Sequence, residues 1–239
     1  MSVASSVEIS AVMPAFNEEA NLEQSVGRMA AALAAQARAF EVIVVDDGSR
    51  DGTAAVLERL KPIHPNLRVV RHPVNRGYGA ALRSGFAAAR YPWIFLEDAD
   101  NQFDPADVAI LLARAADADI VAGYREQRRD PLLRRLNAWA FFTLVTILFG
   151  RLTRDVNCAF KLMRRDLLER MALHSEGALI NTEVFVLARQ LHARVVEVPI
   201  QHYPRTSGRQ TGANLRVVLR AFSELLAFKA EMRKVEKAA

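Results

Sequence analysis

Cysteine is nearly absent: Cys158 stands alone in 239 residues, so no internal disulfide can close, which fits a reducing compartment. The opening MSVASSVEIS has neither a basic leader nor a long apolar core, and it predicts no signal peptide. Long apolar runs are scarce as well. The run Ala138 to Phe149 would reach only about 18 Å as a helix, against roughly 30 Å of bilayer hydrocarbon, so no transmembrane span is expected. No GKS or GKT occurs, which excludes a P-loop, and the GxSxG elbow of a serine hydrolase is missing. Five histidines without HExxH spacing, beside one cysteine, argue against a zinc cage. Gly77-Tyr78-Gly79-Ala80-Ala81-Leu82 lacks the third small residue of a dinucleotide fingerprint and does not follow the first strand. Basic residues interleave with Tyr203, Phe222 and Phe228, but no reader motif accompanies them, so no nucleic-acid partner is expected.

What remains is a chain rich enough in hydrophobic residues, 51%, to build a sizeable core, and of a length that suits one α/β unit. A net charge of +5 favours anionic partners such as phosphates or lipid headgroups. Short apolar runs alternate with longer amphipathic ones, the pattern of βαβ units on a largely parallel sheet. Strands are expected at Val7 to Met13, ended by Pro14, at Val42 to Val45, at Leu67 to Val70 and up to Glu97. Helices are expected at Glu18 to Ala37, Thr53 to Leu60 and Tyr78 to Arg90. Further on come strand-like Ala159 to Met163, a helix around Asn181 to Leu191 and a strand at Val195 to Ile200. Polar residues follow three of the strands: Asn17 and Glu18, Asp46 and Asp47, Asp98 and Asp100. Right-handed crossovers bring such ends to one edge of the sheet, where they would form one site.

The centre of that edge is Asp98-Ala99-Asp100. Side chains at i and i+2 of extended backbone point the same way, so the two carboxylates could converge on one cation, and oxygen-only ligands favour Mg²⁺ or Mn²⁺. The same stretch also reads as an Asp/Asn-rich turn before a helix capped by Asp104 with Pro105 at its first position. Beyond it Arg125, Arg128, Arg129, Arg134 and Arg135 crowd ahead of the apolar run that contains Trp139. That order suits a segment lying in the headgroup region of an anionic membrane, or a core helix behind a solvated loop. Residues 1–212 read as one domain and 213–239 as an amphipathic C-terminal helix with the stripe Leu215, Val218, Phe222 and Leu225. This helix would pack on the domain, on a membrane or on a second subunit, so an oligomer is possible.

Together the segments carry a resemblance that none carries alone. PAFNEE at Pro14 to Glu19, VVDDGSRDGT at Val44 to Thr53, NRGYGAALRSGF at Asn75 to Phe86 and EDADNQ at Glu97 to Gln102 resemble the inverting GT-A glycosyltransferases of family 2. GYR at Gly123 to Arg125, DVNCAFKLMRR at Asp155 to Arg165 and HYPRTSG at His202 to Gly208 resemble its dolichol/polyprenol-phosphate mannosyl- and glucosyltransferase branch. The resemblance implies a Rossmann-like α/β domain with a mostly parallel sheet flanked by helices. It implies that Pro14, Phe16, Glu18, Val44 and Asp46 line a nucleoside pocket. Asp98, Asp100 and Gln102 would ligate the metal, with Ala99 beside the nucleotide, and Arg125 and Arg205 would meet the phosphates. Phe16 stands where the mannosyl enzymes commonly have tyrosine, and Thr211 where they commonly have lysine, with Arg209 close by. The donor is therefore left open between GDP-mannose and UDP-glucose types.

The implied reaction is transfer of a hexose, with inversion, from a nucleotide diphosphate sugar to a polyprenyl phosphate, catalysed by a cytoplasmic protein held peripherally at the membrane face. A lipid phosphate is already anionic and needs no general base. A saccharide hydroxyl acceptor would need one, for which Asp155 and Glu183 are the candidates, each equally able to serve as an internal partner of an arginine. Lys161, Arg135 and Arg164 are candidates to cradle an acceptor phosphate. A catalytically silent module that only binds nucleotide sugar is the remaining alternative.

Overall fold

The computed structural model describes residues 6–126, 132–205, 222–230 and 232, with backbone alone for 132–138. In chain order the elements are β1 Glu8–Ala15, α1 Leu22–Gln36, β2 Ala39–Asp46, α2 Thr53–Leu60, β3 Leu67–Arg71, α3 Tyr78–Ala88, β4 Trp93–Leu96, α4 Val108–Leu112, β5 Ile120–Arg125, α5 Leu132–Phe149, β6 Lys161–Arg164, α6 Arg165–Glu169, α7 Ile180–Gln190 and β7 Val195–Ile200. Residues 222–230 are also helical. Among the described residues the strands make one sheet in the order β3-β2-β1-β4-β6-β5-β7. β6 runs antiparallel to both neighbours and the other pairings are parallel.

The first strands step outward from β1 to β2 to β3, and β4 then returns to the other side of β1. Such a reversal opens a crevice at the carboxyl ends of the two central strands, where open α/β sheets bind ligands. Two apolar layers fix this frame. Alternation along β1 sends Ile9, Ala11 and Met13 to one face, against Leu22, Met29 and Leu33 of α1. Val12 goes to the other face with Ala81, Leu82 and Phe86 of α3. Gly85 permits that second contact, because a Cβ there would lie 2.3 Å from Val12 Cγ1.

Pro14 does not end β1. The strand continues to Ala15 and pairs with β2 to its last residue. The register with β4 stops at Val12. Glu97 donates to the Val12 carbonyl, so Pro14, two residues on, turns its missing N–H toward a side with no strand to bond. Asp104 does cap as its pairing with Pro105 suggested, accepting from Ala106 N, but on a single 3₁₀ turn ahead of the short α4. α5 buries Phe141, Val145 and Phe149 while Trp139 and Ile147 stay 64% and 73% exposed. The 222–230 helix packs beside it, Phe222 edge-on to Phe141 and Phe228 against Phe149. Among the described residues no helix is long and apolar enough to cross a membrane.

Candidate active site

A cleft of about 540 Å³ opens over the carboxyl ends of β1 and β4. Pro14, Phe16 and Glu18 come from the end of β1, Asp47 from the end of β2, Gly77 and Tyr78 from the start of α3, and Asp98, Ala99 and Asp100 from the end of β4. Arg205 enters after β7. The opposite wall is built by Asn157, Glu176, Gly177, Ala178, Asn181 and Glu224.

Arg205 is the clasp between two of these segments. Its Nη2 donates to Glu18 Oε1 at 2.5 Å and its Nη1 lies 3.6 Å from Asp100 Oδ2, with both Arg205 and Glu18 nearly nine-tenths buried. Gln102 holds the segment after β7 that carries it: Nε2 donates to the Tyr203 carbonyl at 3.2 Å, and Tyr203 N donates to the Gln102 carbonyl at 2.8 Å. Its amide therefore faces Tyr203, and Gln102 is not among the residues lining the cleft.

Negative charge dominates the floor. Burial, and then the neighbouring Asp100 carboxylate, push Asp98 up to about 7, while the Tyr78 hydroxyl donates to Asp98 Oδ1 at 3.1 Å. Burial likewise raises Glu18 and, more strongly, Glu97. A carboxylate raised this far by burial and by the carboxylate beside it fits a divalent cation of the hard, oxygen-seeking kind. Among the described residues no group of three or more His, Cys, Asp or Glu side chains forms a metal cage.

Other expected residues lie outside the cleft. Val44 is fully buried in the core, and Asp46, also fully buried, accepts from Ser49 N at 3.0 Å and stands 3.3 Å from Arg71 Nε. Its neighbour Asp47 is the one that lines the cleft, and it binds the Gly77 N, Arg76 N and His72 side chain, fixing the loop into α3. Arg125 is paired with Asp155. Glu183 is buried and accepts from His174 N at 2.7 Å and Ser175 N at 2.9 Å, holding the loop that forms the far wall. Arg164 lies at the opposite end of the sheet, paired in register with Trp93 and stacked 4.7 Å over its ring, so it cannot meet an acceptor phosphate in the cleft. Lys161 is 1% exposed and turned inward. Arg135, like Arg209 and Thr211, falls outside the described side chains.

The far wall is what sequence reasoning missed. His174 to Ala178 has no periodicity or motif of its own, and only the glycines that receive it carried a signal. Gly79 N and Ala80 N donate to the Glu176 carbonyl at 2.7 and 3.3 Å. A Cβ on Gly79 would sit 2.4 Å from the Ser175 carbonyl oxygen, and one on Gly77, at φ +100°, 2.5 Å from that of Glu176. The repeated glycine of GYG is thus a docking surface for this loop.

Comparison with known proteins fits this geometry. The family model described as glycosyl transferase family 2 matches residues 10–172. An undecaprenyl-phosphate 4-deoxy-4-formamido-L-arabinose transferase of Pseudomonas paraeruginosa is 32% identical over 213 residues, which cover 88% of this chain and 62% of that protein. The counterpart from Klebsiella pneumoniae is 29% identical over 214 residues, 88% of this chain and 64% of its own. The chain thus spans less than two thirds of the length of these relatives. Glucosyl-3-phosphoglycerate synthase from Mycobacterium tuberculosis, crystallised with Mn²⁺, UDP-glucose and phosphoglyceric acid, superposes with a TM-score of 0.72 at 22% identity, covering 95% of this chain and 81% of that one. Mannosyl-3-phosphoglycerate synthase from Rubrobacter xylanophilus gives 0.71 at 19% identity, covering 97% and 75%. The shared architecture is the GT-A fold.

Proposed function

The chain belongs to glycosyl transferase family 2, and on that premise we propose that it transfers a hexose, with inversion, from a nucleotide diphosphate sugar to a polyprenyl phosphate. One observation carries the reading. Pro14 and Phe16, Asp98 and Asp100, and Arg205 come from three distant parts of the chain and line one cleft at the point where the strand order reverses. The similar undecaprenyl-phosphate sugar transferases support the acceptor class, and the solved structures holding UDP-glucose and Mn²⁺ support the donor class.

On this reading the nucleoside rests on Pro14 and Phe16, and the diphosphate lies between Arg205 and the Asp98–Asp100 pair. Asp98 and Asp100 would hold Mg²⁺ or Mn²⁺, which supplies charge neutralisation for the departing diphosphate. Arg205, held near the cleft by Glu18, offers N–H groups to the same oxygens. An acceptor phosphate oxygen attacks the anomeric carbon from the face opposite the leaving group. The new C–O bond forms as the bond to the nucleotide diphosphate breaks, and that diphosphate keeps the electron pair. The ionised acceptor carries no proton to remove. Asp155 and Glu183, the bases a hydroxyl acceptor would call on, are bound respectively to a guanidinium and to two backbone N–H groups, which favours the phosphate.

The exposed Trp139 and Ile147 on α5 and Leu226 on the adjacent helix are proposed to rest against the anionic membrane that carries the acceptor. Calorimetric titration with UDP and GDP, each with Mn²⁺ and then with EDTA, tests the donor site. Binding of one nucleotide that vanishes on chelation is expected, and so is transfer of its labelled hexose to undecaprenyl phosphate. Binding without transfer or donor hydrolysis would favour a silent module.

A further inference from the structure

Lys161 is the most deeply buried cation of the described chain, and its surroundings determine how a cleft residue is turned. Its Nζ donates to the Cys158 carbonyl and, at 3.0 Å, to Asn181 Oδ1, and it lies 5.6 Å from the centre of the Phe185 ring. An ammonium only donates, so the amide oxygen of Asn181 must face it and the NH₂ must face away. The Asn181 side chain neighbours the Tyr78 hydroxyl, which donates to Asp98 Oδ1 at 3.1 Å. Asn181 lines the cleft with 6% of its surface exposed.

We propose that Asn181, oriented by Lys161, is a sugar-binding residue: its amide N–H donates to a hydroxyl oxygen of the hexose being transferred. Asn181 and Asp98 both line the cleft, with Tyr78 common to their surroundings. The hexose is joined directly to the diphosphate that Asp98 serves, so its hydroxyls fall to the same cleft that Asn181 lines. The neutral amide matches a hydroxyl, whereas a phosphate would call for the charge that Lys161 keeps turned inward. Lys161 is then a positioning residue and not a phosphate cradle. This inference rests on the glycosyltransferase reading of the cleft.

Asn181→Asp separates contact from support. It keeps an oxygen for Lys161, now as an ion pair, and removes both N–H donors. The expected result is an unchanged or higher Tm, affinity for the plain nucleotide with Mn²⁺ within about twofold of wild type, and loss of the extra affinity that nucleotide sugar has over nucleotide. A fall of about 10- to 100-fold in kcat/KM is expected, the size of one hydrogen bond to a buried polar group. Asn181→Ser, too short to reach the sugar, should show the same loss and serves if the aspartate disturbs folding. Wild-type sugar discrimination and transfer in either variant overturns the proposal, as does a change confined to the KM of the acceptor. A wild-type protein that binds no nucleotide sinks the proposed function and this inference together, whereas a binding wild type matched by its variants sinks the inference alone.

Discussion

Arg125 and Asp155 grip each other through two hydrogen bonds, Nε to Oδ2 at 2.6 Å and Nη2 to Oδ1 at 2.9 Å, with both side chains more than nine-tenths buried. The guanidinium joins the end of β5 to the loop ahead of β6, so its first role is to tie the two sides of the antiparallel insertion. Breaking a buried pair by removing one partner is strongly destabilising, and Asp155→Ala should cost about 3–5 kcal/mol in urea unfolding. The double variant Arg125→Met with Asp155→Leu should recover most of it. If Arg125 acts mainly on phosphate, Asp155→Ala will instead leave stability intact and change only catalysis.

Gly79 and Gly27 make a matched pair. A Cβ on Gly79 would meet backbone carbonyl oxygens at 2.4 and 2.7 Å, while nothing lies within 4 Å of one on Gly27 in α1. Gly79→Ala should push the 174–178 wall away, destabilise the fold by about 1–3 kcal/mol and weaken nucleotide-sugar binding. Gly27→Ala should stabilise it by roughly 0.5–1 kcal/mol, because glycine in a helix loses more chain entropy on folding. Thermal unfolding of both variants checks the two signs, and a stabilised Gly79→Ala would show that the loop docks without using the gap.

β1, β2 and β4 stand out because a buried strand is a short apolar run, and a run that stops at Asp46 or Asp98 announces the ligand edge. The Asp98–Asp100 pair and Arg205 were found as motifs, and they meet in the cleft. β6 was less legible: it arrives antiparallel between β4 and β5 after a long excursion, and nothing in Lys161–Arg164 encodes direction. For the same reason Arg164, a candidate cradle for an acceptor phosphate in the sequence, is carried by the reversed direction to the far end of β4. The 174–178 wall was invisible because its position comes from its backbone, through Glu183 carboxylate oxygens and the N–H groups of Gly79 and Ala80. Asp155 pairs with an arginine, as one of its two readings has it, whereas Glu183 accepts from two backbone N–H groups and from no arginine among the described residues.

Lys161 links pH to stability. Burial pulls its pKa from the ordinary lysine value of 10.5 to about 8. The unfolded chain therefore binds one more proton than the folded protein between those values, and stability rises with pH across that window. Relative to Lys161→Met, wild type should gain up to about 3 kcal/mol between pH 7.5 and 10, as the cost of burying the ammonium is relieved. Urea unfolding of both proteins at the two pH values gives the difference directly. A wild type that instead loses stability relative to Lys161→Met as pH rises would mean that the Cys158 carbonyl and Asn181 hold the charge better than burial penalises it.

Cys158 offers a probe of the region between Asp155 and Lys161. It is fully buried, and burial, followed by the Asp155 carboxylate, pushes its thiol up to about 11. At pH 8 the native protein should therefore hold almost no thiolate there and admit no reagent, while the unfolded chain ionises with an ordinary thiol pKa of about 8.5. Iodoacetamide labelling followed by mass spectrometry should proceed no faster than opening of this region and become rapid in guanidinium chloride. Asp155→Ala lowers the barrier to opening by removing the two hydrogen bonds to Arg125, so its labelling rate should rise with the loss of stability. Fast labelling of wild type in native buffer would place Cys158 on a segment that opens independently, and the Arg125–Asp155 pair could not then be what closes it.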